Sequence, residues 1–414
     1  MHSSFFRNRL AGIVGNFLDH YDNALFGLLA PFMAPLFFPD NDPMTALILT
    51  YSMLPLGLIT RPLGSLFFGW IGDTLGRRQA LFYSLIGMAT VTMSIAFLPI
   101  YKDIGFWAPL LLAIARLLQS FFAAGEVTGG AIFVLEHTPP GKRGFASGCY
   151  DASTVGGILF ASALVTVFSA HDYMHLGWRL LFLFGGVTAL VGIFLRLLAK
   201  DSAESAICQD RRPPVWQIFK QYRGPLLAII LASGFGHTTY HLAFTLMNGY
   251  IPLITSLSKT DVIEMNTYLL LIDLCLLPCF GYLSTKWGKE RMMLVGATGA
   301  VLSAIPLFAM LEGASLGTVA FVRAMIMMFG IAFAAPYYAW AMERVPAHHR
   351  CLLLAFGGAI GTQCIGMPTS AACLWLHKTG GWSGAAGVYL MVAGTLAGWV
   401  VLRSIYKRTY AEVE

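Results

Sequence analysis

The chain is 414 residues long, with 57% apolar side chains, 12% charged ones and a mean hydropathy of +0.68. That balance lies outside the range of water-soluble globular proteins and leaves no room for a large soluble domain. A formal charge of +6 would suit a nucleic-acid partner, but the cations sit in small groups at the ends of apolar runs, so they read as topological anchors and no nucleic acid is expected.

The hydropathy pattern predicts an all-α integral membrane protein. Spans are expected near 10–37, 45–71, 80–100, 106–135, 145–169, 176–198, 225–257, 262–286, 291–311, 316–344, 351–376 and 384–405. Twelve spans of about 20 residues take up roughly 240 positions and leave short loops. Arg7 and Arg9 precede the first apolar run as in a signal peptide, but Asp19, His20 and Asp22 lie inside that run, so it is expected to remain as a span. The extended polar segment Lys200–Gly224, with Asp201, Glu204, Asp210, Arg211, Arg212, Lys220 and Arg223, divides the chain. The expected organisation is an amino-terminal six-helix bundle (1–199), a cytoplasmic linker (200–224) and a carboxy-terminal six-helix bundle (225–414).

Orientation follows from Lys and Arg. With the amino terminus inside, the groups Arg7/Arg9, Arg77/Arg78, Lys142/Arg143, Lys286/Lys289/Arg291, Arg344/Arg350 and Arg403/Lys407/Arg408 are all cytoplasmic, and the outer loops hold only Lys102, Lys259 and Lys378. Both termini are therefore expected in the cytoplasm of a multi-pass inner-membrane protein. The seven cysteines form no pair in an outer loop, so no disulfide framework is expected. Cys275 and Cys279 are one turn apart without a His or acidic companion, which reads as two core thiols and no metal site. No Gly-x-x-x-x-Gly-Lys-Ser/Thr loop occurs, so no nucleotide and no other cofactor is expected.

The stretch Gly69-Trp-Ile-Gly-Asp73-Thr-Leu-Gly76-Arg77-Arg78 joins the second and third spans. It combines glycine for close helix approach, an acid, a second glycine for a tight reversal and two arginines that resist leaving the cytoplasm. Asp73 can neutralise a helix start or pair with an arginine, as a latch between two helix arrangements would; the alternative is a loop that only fixes topology. A repeat runs through the chain: Arg116, Glu136 and Arg143 recur as Arg323, Glu343 and Arg350 at an offset of 207. The loop recurs as Gly281-x-x-x-Thr285-x-x-Gly288-Lys289-Glu290-Arg291, where Thr285 replaces the acid, so a latch there is expected to be weakened or lost.

Polar residues at bilayer depth are costly, so each must face a cavity or a partner. They fall in four spans: Asn16, Asp19, His20, Asp22 and Asn23; Arg116, Gln119 and Glu126; His237, His241 and Asn248; Arg323, Tyr337 and Tyr338. In the first span Asn16, Asp19, His20 and Asn23 share one stripe, with Asp22 to its side. Desolvated carboxylates make Asp19, Asp22 and Glu126 candidates for proton coupling, or structural acids paired with a neighbouring helix. Arg116 and Arg323 have the forked donors of an anion clamp, or each pairs permanently with an internal acid such as Glu126 or Asp22. His237 and His241, with Asn248 on the same face, could meet substrate or proton, serve as structural histidines, or hold a metal. Asp151, Asp273 and Arg61 are also costly to bury, and no role is assigned to the two acids.

The pattern Gly69-x-x-x-Asp73-x-x-Gly76-Arg77-Arg78 resembles the signature between helices 2 and 3 of the major facilitator superfamily. Gly15-Asn16-Phe17-Leu18-Asp19-His20-Tyr21-Asp22, Thr60-Arg61-Pro62-Leu63-Gly64 and Glu136-His137-Thr138-Pro139-Pro140-Gly141-Lys142-Arg143-Gly144 are similar to its metabolite:proton symporter family, whose members carry proline, betaine and organic acids. The likeness is strong in the first half and weak in the second. Asp19 stands where a glutamate is common in that family, Asp22 matches its usual aspartate, and His20 replaces its usual tryptophan.

The resemblance implies twelve helices in two pseudo-symmetric six-helix bundles, with spans 1, 4, 7 and 10 lining a central cavity and spans 3, 9 and 12 free to face lipid. It implies a monomeric carrier in membrane lipid that takes up a small anionic or zwitterionic metabolite with protons by alternating access. Expected substrate contacts are Asn16, His20, Asn23, Arg116, Gln119, His237, His241, Asn248, Arg323 and Tyr337. Expected gating residues are Arg61, Gly69, Asp73, Gly76, Arg77, Arg78, Glu136 and Arg143. The rival readings are import of a larger polycarboxylate such as a citrate-type ferric siderophore, or export of an anion or drug. No nucleophile with its base and no set of three metal ligands is visible, which disfavours a membrane enzyme.

Overall fold

The computed structural model describes residues 2–38, 57–170, 174–197 and 214–411; the opening of the second expected span and most of the expected linker lie outside them. Every regular element among the described residues is a helix. The bilayer requires this, because an apolar segment in lipid must satisfy its backbone groups within itself. Among the described residues ten stretches are long and apolar enough to cross a membrane: Arg77–Ala96, Trp107–Glu136, Pro140–Phe168, Leu176–Phe194, Arg223–Ile254, Asp261–Trp287, Lys289–Ala309, Leu316–Met342, Ala347–Gly380 and Ser383–Tyr406. The helices His2–Phe37 and Gly57–Thr74 stand at the two remaining expected spans.

We label the helices α1 (His2–Phe37), α2 (Gly57–Thr74), α3 (Arg77–Ala96), α4 (Trp107–Glu136), α5 (Arg143–Ala170) and α6 (Met174–Leu197). The second set is α7a (Arg223–Tyr240), α7b (Met247–Ile254), α8 (Lys259–Trp287), α9 (Lys289–Ala309), α10a (Leu316–Ala334), α10b (Tyr337–Met342), α11a (Arg350–Gly361), α11b (Thr369–Gly380) and α12 (Gly387–Ala411). Three expected spans are thus interrupted. α10 breaks at Pro336, which has no N–H to continue the ladder. π turns at His241–Leu246 and Thr362–Gly366 interrupt the seventh and eleventh spans. The second shows the wide i→i+5 bond from Met367 N–H to Thr362 O at 2.8 Å.

The helices pack as two compact units. Unit 1 comprises Met1–Thr138, Ser153–Arg211 and Ala347–Phe356; unit 2 comprises Pro139–Ala152, Arg212–Pro346 and Gly357–Glu414. α5 and α11a therefore each contribute to both. In unit 1, α3 packs on α6 and α4, and α1 on α4 and α6; in unit 2, α9 packs on α12 and α10a, and α7a on α10a and α12. The same pairings recur six spans later, which is the duplication seen in the sequence expressed as packing.

The core of unit 1 is apolar. Leu25, Leu29, Met33 and Phe37, spaced by four along α1, bury against Ile95, Leu112, Trp178 and Phe182. Large aromatic side chains stay exposed at helix ends, among them Phe106 and Trp107 at the start of α4 and Trp287 at the end of α8, as suits the two membrane–water interfaces.

Candidate functional site

Unit 1 holds a directed hydrogen-bond chain from a cation to an acid. Arg116 Nη1–H donates to Gln119 Oε1 at 2.6 Å, Gln119 Nε2–H to Thr92 Oγ1 at 2.9 Å, and the Thr92 hydroxyl to Asp22 Oδ2 at 3.5 Å. Arg116, Gln119, Thr92 and Asp22 are all at least 95% buried. The Arg116 guanidinium lies 4.3 Å over the Phe26 ring, and its Nε–H has no acceptor. It forms no ion pair among the described residues, so the alternative of a permanent pairing with Asp22 gives way to two neutral links. Glu126 is buried elsewhere on α4.

The α1 stripe adjoins this chain. Asn16 Nδ2–H₂ donates to Ser153 Oγ at 2.8 Å and Thr154 Oγ1 at 2.9 Å on α5. His20 Nδ1–H donates to Asn16 O at 2.9 Å, and Asn23 to both Asp19 O and Oδ2 at 2.9 and 3.1 Å. Asp19 Oδ2 lies 3.7 Å from His20 Nδ1. Asp22 presses against α6 where a bare glycine admits it: a Cβ on Gly185 would lie 2.1 Å from Asp22 Oδ1. Arg61, expected at the gate, lies within electrostatic reach of both His20 and Arg116. Thr92 is hidden in the sequence because nothing there sets it apart from Ser84, Thr90 and Ser94 of the same helix; span 3, expected to face lipid, supplies a link of the chain.

A second cluster in unit 1 gathers the conspicuous loop. Arg77 Nη1–H donates to Asp73 Oδ1 at 2.9 Å and Gly72 O at 3.0 Å, and Nη2–H to Glu136 Oε1 at 3.1 Å and Ala347 O at 2.5 Å. Arg350 joins Glu136 at 2.8 Å. Asp73 also accepts the N–H groups of Cys351 at 3.1 Å and Leu352 at 2.8 Å, the orphan donors of the first turn of α11a. Contact this close needs Gly69, since a Cβ there would lie 2.8 Å from Leu352 Cα. Gly76, at φ +116°, makes the reversal that aims Arg77 back at Asp73. Arg78 follows half-buried, while Arg143 opens α5 in the part that belongs to unit 2.

Unit 2 repeats this cluster in weaker form. Thr285 Oγ1 accepts Phe145 N–H at 3.2 Å at the start of α5, Lys289 pairs with Glu343, and Arg344 with Glu290 at 3.5 Å. The neutral threonine keeps one hydrogen bond of the helix-start contact and none of its charge.

Arg323 sits quite differently from Arg116. It is fully buried, with Nε–H on Ala243 O at 3.0 Å, Nη1–H on Val262 O at 3.2 Å and Nη2–H on Asn248 at 3.1 Å and on Asn266. Its donors are committed to backbone and amide acceptors of the π turn, α7b and α8. The π turn also rotates Asn248 away from the face expected for it, onto Arg323. His237 and His241 stay together, ring centroids 5.2 Å apart, with His237 packed on the bare backbone of Gly366. Tyr337 rests on Tyr338 with centroids 5.0 Å apart.

Comparison with known proteins agrees with this architecture. A family model described as sugar (and other) transporter matches residues 10–214. The proline/betaine transporter of Escherichia coli K12 is 26% identical over 404 residues, covering 93% of this chain and 80% of that protein. A putative proline/betaine transporter of Staphylococcus aureus COL is 29% identical over 412 residues, covering 96% and 87%. The glycine betaine/proline/ectoine/pipecolic acid transporter OusA of Dickeya dadantii is 28% identical over 404 residues, covering 93% and 80%. Among solved structures, the proton:xylose symporter XylE superposes with a TM-score of 0.75 at 17% identity, covering 97% and 96%, and FucP with 0.70 at 12%, covering 96% and 98%; these establish the fold. The duplicated helical units and the solved structures give the chain the major facilitator fold, and the relatives make it similar to multi-pass membrane transporters of that superfamily.

Proposed function

We propose that the protein is a secondary active transporter of the inner membrane that takes up a small carboxylate-bearing zwitterion, of the proline or betaine kind, together with protons. The carrying observation is Arg116, a buried guanidinium with one donor open and no carboxylate counter-ion among the described residues. A charge held this way is costly unless a bound anion completes it. Asp22, at the other end of the same chain, keeps Oδ1 without a hydrogen bond. A zwitterion supplies both missing charges, and the compounds named for the relatives in Escherichia coli and Dickeya dadantii are of this class.

Alternating access supplies the movement. The Asp73 cluster holds the start of α11a against the end of α2, and its release accompanies opening of the face we take as cytoplasmic, with both termini on that side. Protonation of an acid such as Asp22, Asp19 or Glu126 removes a charge that penalises reorientation.

The test is uptake of labelled proline, glycine betaine, ectoine and pipecolic acid, beside mono- and dicarboxylic acids, into proteoliposomes with and without an inward acid gradient. Gradient-stimulated uptake of zwitterions is expected. Uptake that ignores the gradient removes proton coupling, and preference for acids without a cationic centre removes the substrate class.

A further inference from the structure

Asp151 on α5 and Asp273 on α8 lie in unit 2, apart from the hydrogen-bond chain of unit 1. The helices that carry them meet through glycine. A Cβ on Gly144 would lie 2.9 Å from Gly281 O, one on Gly148 2.4 Å from Leu277 O, and one on Gly281 2.6 Å from Gly144 O. Numbers rise along α5 as they fall along α8, so the two run antiparallel, and one turn beyond the Gly148–Leu277 contact Asp151 comes opposite Asp273. The facing stripes read Gly144, Ser147, Gly148, Asp151 on α5 and Ser284, Gly281, Leu277, Asp273 on α8.

Asp273 is 4% exposed and Asp151 half-buried, and Asp151 lies in the electrostatic field of Asp273. Neither forms an ion pair or a hydrogen bond to a described side chain. Tyr240 on α7a is in reach of Asp273, and Tyr337 on α10b of Asp151. Arg323 bonds to α8 at Val262 and Asn266, two turns from Asp273, with its donors already committed. One more polar group on the same stripe is unmet: the Ser147 hydroxyl, fully buried and without a hydrogen-bond partner, one turn before Asp151.

Two carboxylates facing one another at bilayer depth with no cation between them cannot both stay ionised. A proton on either carboxyl removes the repulsion. We propose that Asp151 and Asp273 form a proton-binding carboxyl pair within unit 2, second to the acids of α1 and built on a different helix crossing. With one proton the pair carries a single negative charge; a second proton from water makes it neutral, and its return to water restores the charge. The assignment as a proton site stands by itself, and its use in coupling rests on the proton-coupled reading above.

The test begins without substrate. Infrared difference spectra of the purified full-length protein are compared with those of Asp151→Asn, Asp273→Asn and the double variant, each selected as monodisperse. The expected result is a protonated-carboxyl stretch at neutral pH that is lost in the double variant, and a residual band whose titration midpoint is shifted in each single variant. Absence of any protonated-carboxyl band in the wild-type minus double-variant spectrum overturns the proposal. So does a band that appears only when sodium is replaced by choline, which would make the pair a metal-cation site.

Coupling is read separately in proteoliposomes with labelled proline and glycine betaine. An inward gradient of about one pH unit supports about tenfold accumulation at one proton per substrate, and Asp273→Asn is expected to lose it. Wild-type uptake insensitive to the gradient refutes the coupled reading and leaves the infrared result intact. Full accumulation by both single variants refutes the coupling role of the pair alone.

Discussion

Asp73→Asn tests whether the cluster at the end of α2 is a latch. The aspartate accepts hydrogen bonds from Arg77 Nη1–H and the N–H groups of Cys351 and Leu352, and is 6% exposed. Asparagine keeps the shape, removes the charge and replaces one acceptor oxygen by a donor that faces donors. Two charge-assisted bonds weakened at about 1.5–3 kcal/mol each make the loss about 3–6 kcal/mol. Since each 1.4 kcal/mol is about tenfold, the released arrangement gains about 10²- to 10⁴-fold in relative population.

Cys351 reports this directly, being 4% exposed and packed on Gly72. Maleimide labelling in native membranes, quantified site by site with the other cysteines as internal references, is expected to rise at Cys351 by about tenfold or more in the variant. Exposed Cys275 and Cys279 on α8 should keep their rates. Unchanged Cys351 labelling in a folded variant would refute the latch and leave the cluster a topological device.

Other perturbations separate the roles of the buried groups. Arg116→Gln should raise KM for carboxylate-bearing substrates by an amount equivalent to about 2–5 kcal/mol, measured by exchange; unaltered KM returns Arg116 to scaffolding. Arg323→Gln removes a donor from each of four acceptors in unit 2 and should lower thermal stability by about 3–5 kcal/mol equivalent with little change in KM, read by melting of the detergent-solubilised protein and by exchange. Gly185→Ala places a methyl where Asp22 Oδ1 now lies, at 2.1 Å, and should cost about 1–3 kcal/mol of overpacking together with transport; wild-type transport would show that Asp22 sits elsewhere. Gly76→Ala forces alanine to φ +116°, costs about 1–3 kcal/mol, and should mimic Asp73→Asn in the Cys351 labelling assay.

Much of this architecture is legible from the residues because lipid makes the pattern severe. Apolar runs of span length and the 207-residue offset each have one physical reading, and the helices and their recurring pairings reproduce both. The Asp73 loop is legible for the same reason, since acid, glycine and arginine at those spacings can satisfy one another only by folding back. The π turns are not legible: His241–Leu246 and Thr362–Gly366 contain residues any α-helix accepts, and the extra residue per turn is stabilised by tertiary partners such as Arg323 on Ala243 O. Thr92 and Gly185 are hidden likewise, because what they contribute is a position opposite another helix.

The duplicated arginines show how chain duplication and chemistry diverge. Arg116 and Arg323 occupy equivalent positions, and equal environments would have left both open to a ligand or both closed. Near Arg323 the π turn presents the Ala243 carbonyl, α8 offers the Val262 carbonyl and Asn266, and the guanidinium is consumed by the fold. Near Arg116 the helix is regular, its carbonyls are taken by its own ladder, and a single glutamine relays the charge through Thr92 to Asp22. A buried cation satisfied by neutral acceptors strengthens its unit but gains little from an added anion. One with an open donor and a distant acid is costly at rest and becomes favourable when a carboxylate arrives. On the proposed function the asymmetry places substrate charge in unit 1 and leaves unit 2 to contribute through groups other than its arginine, the proposed Asp151–Asp273 pair among them.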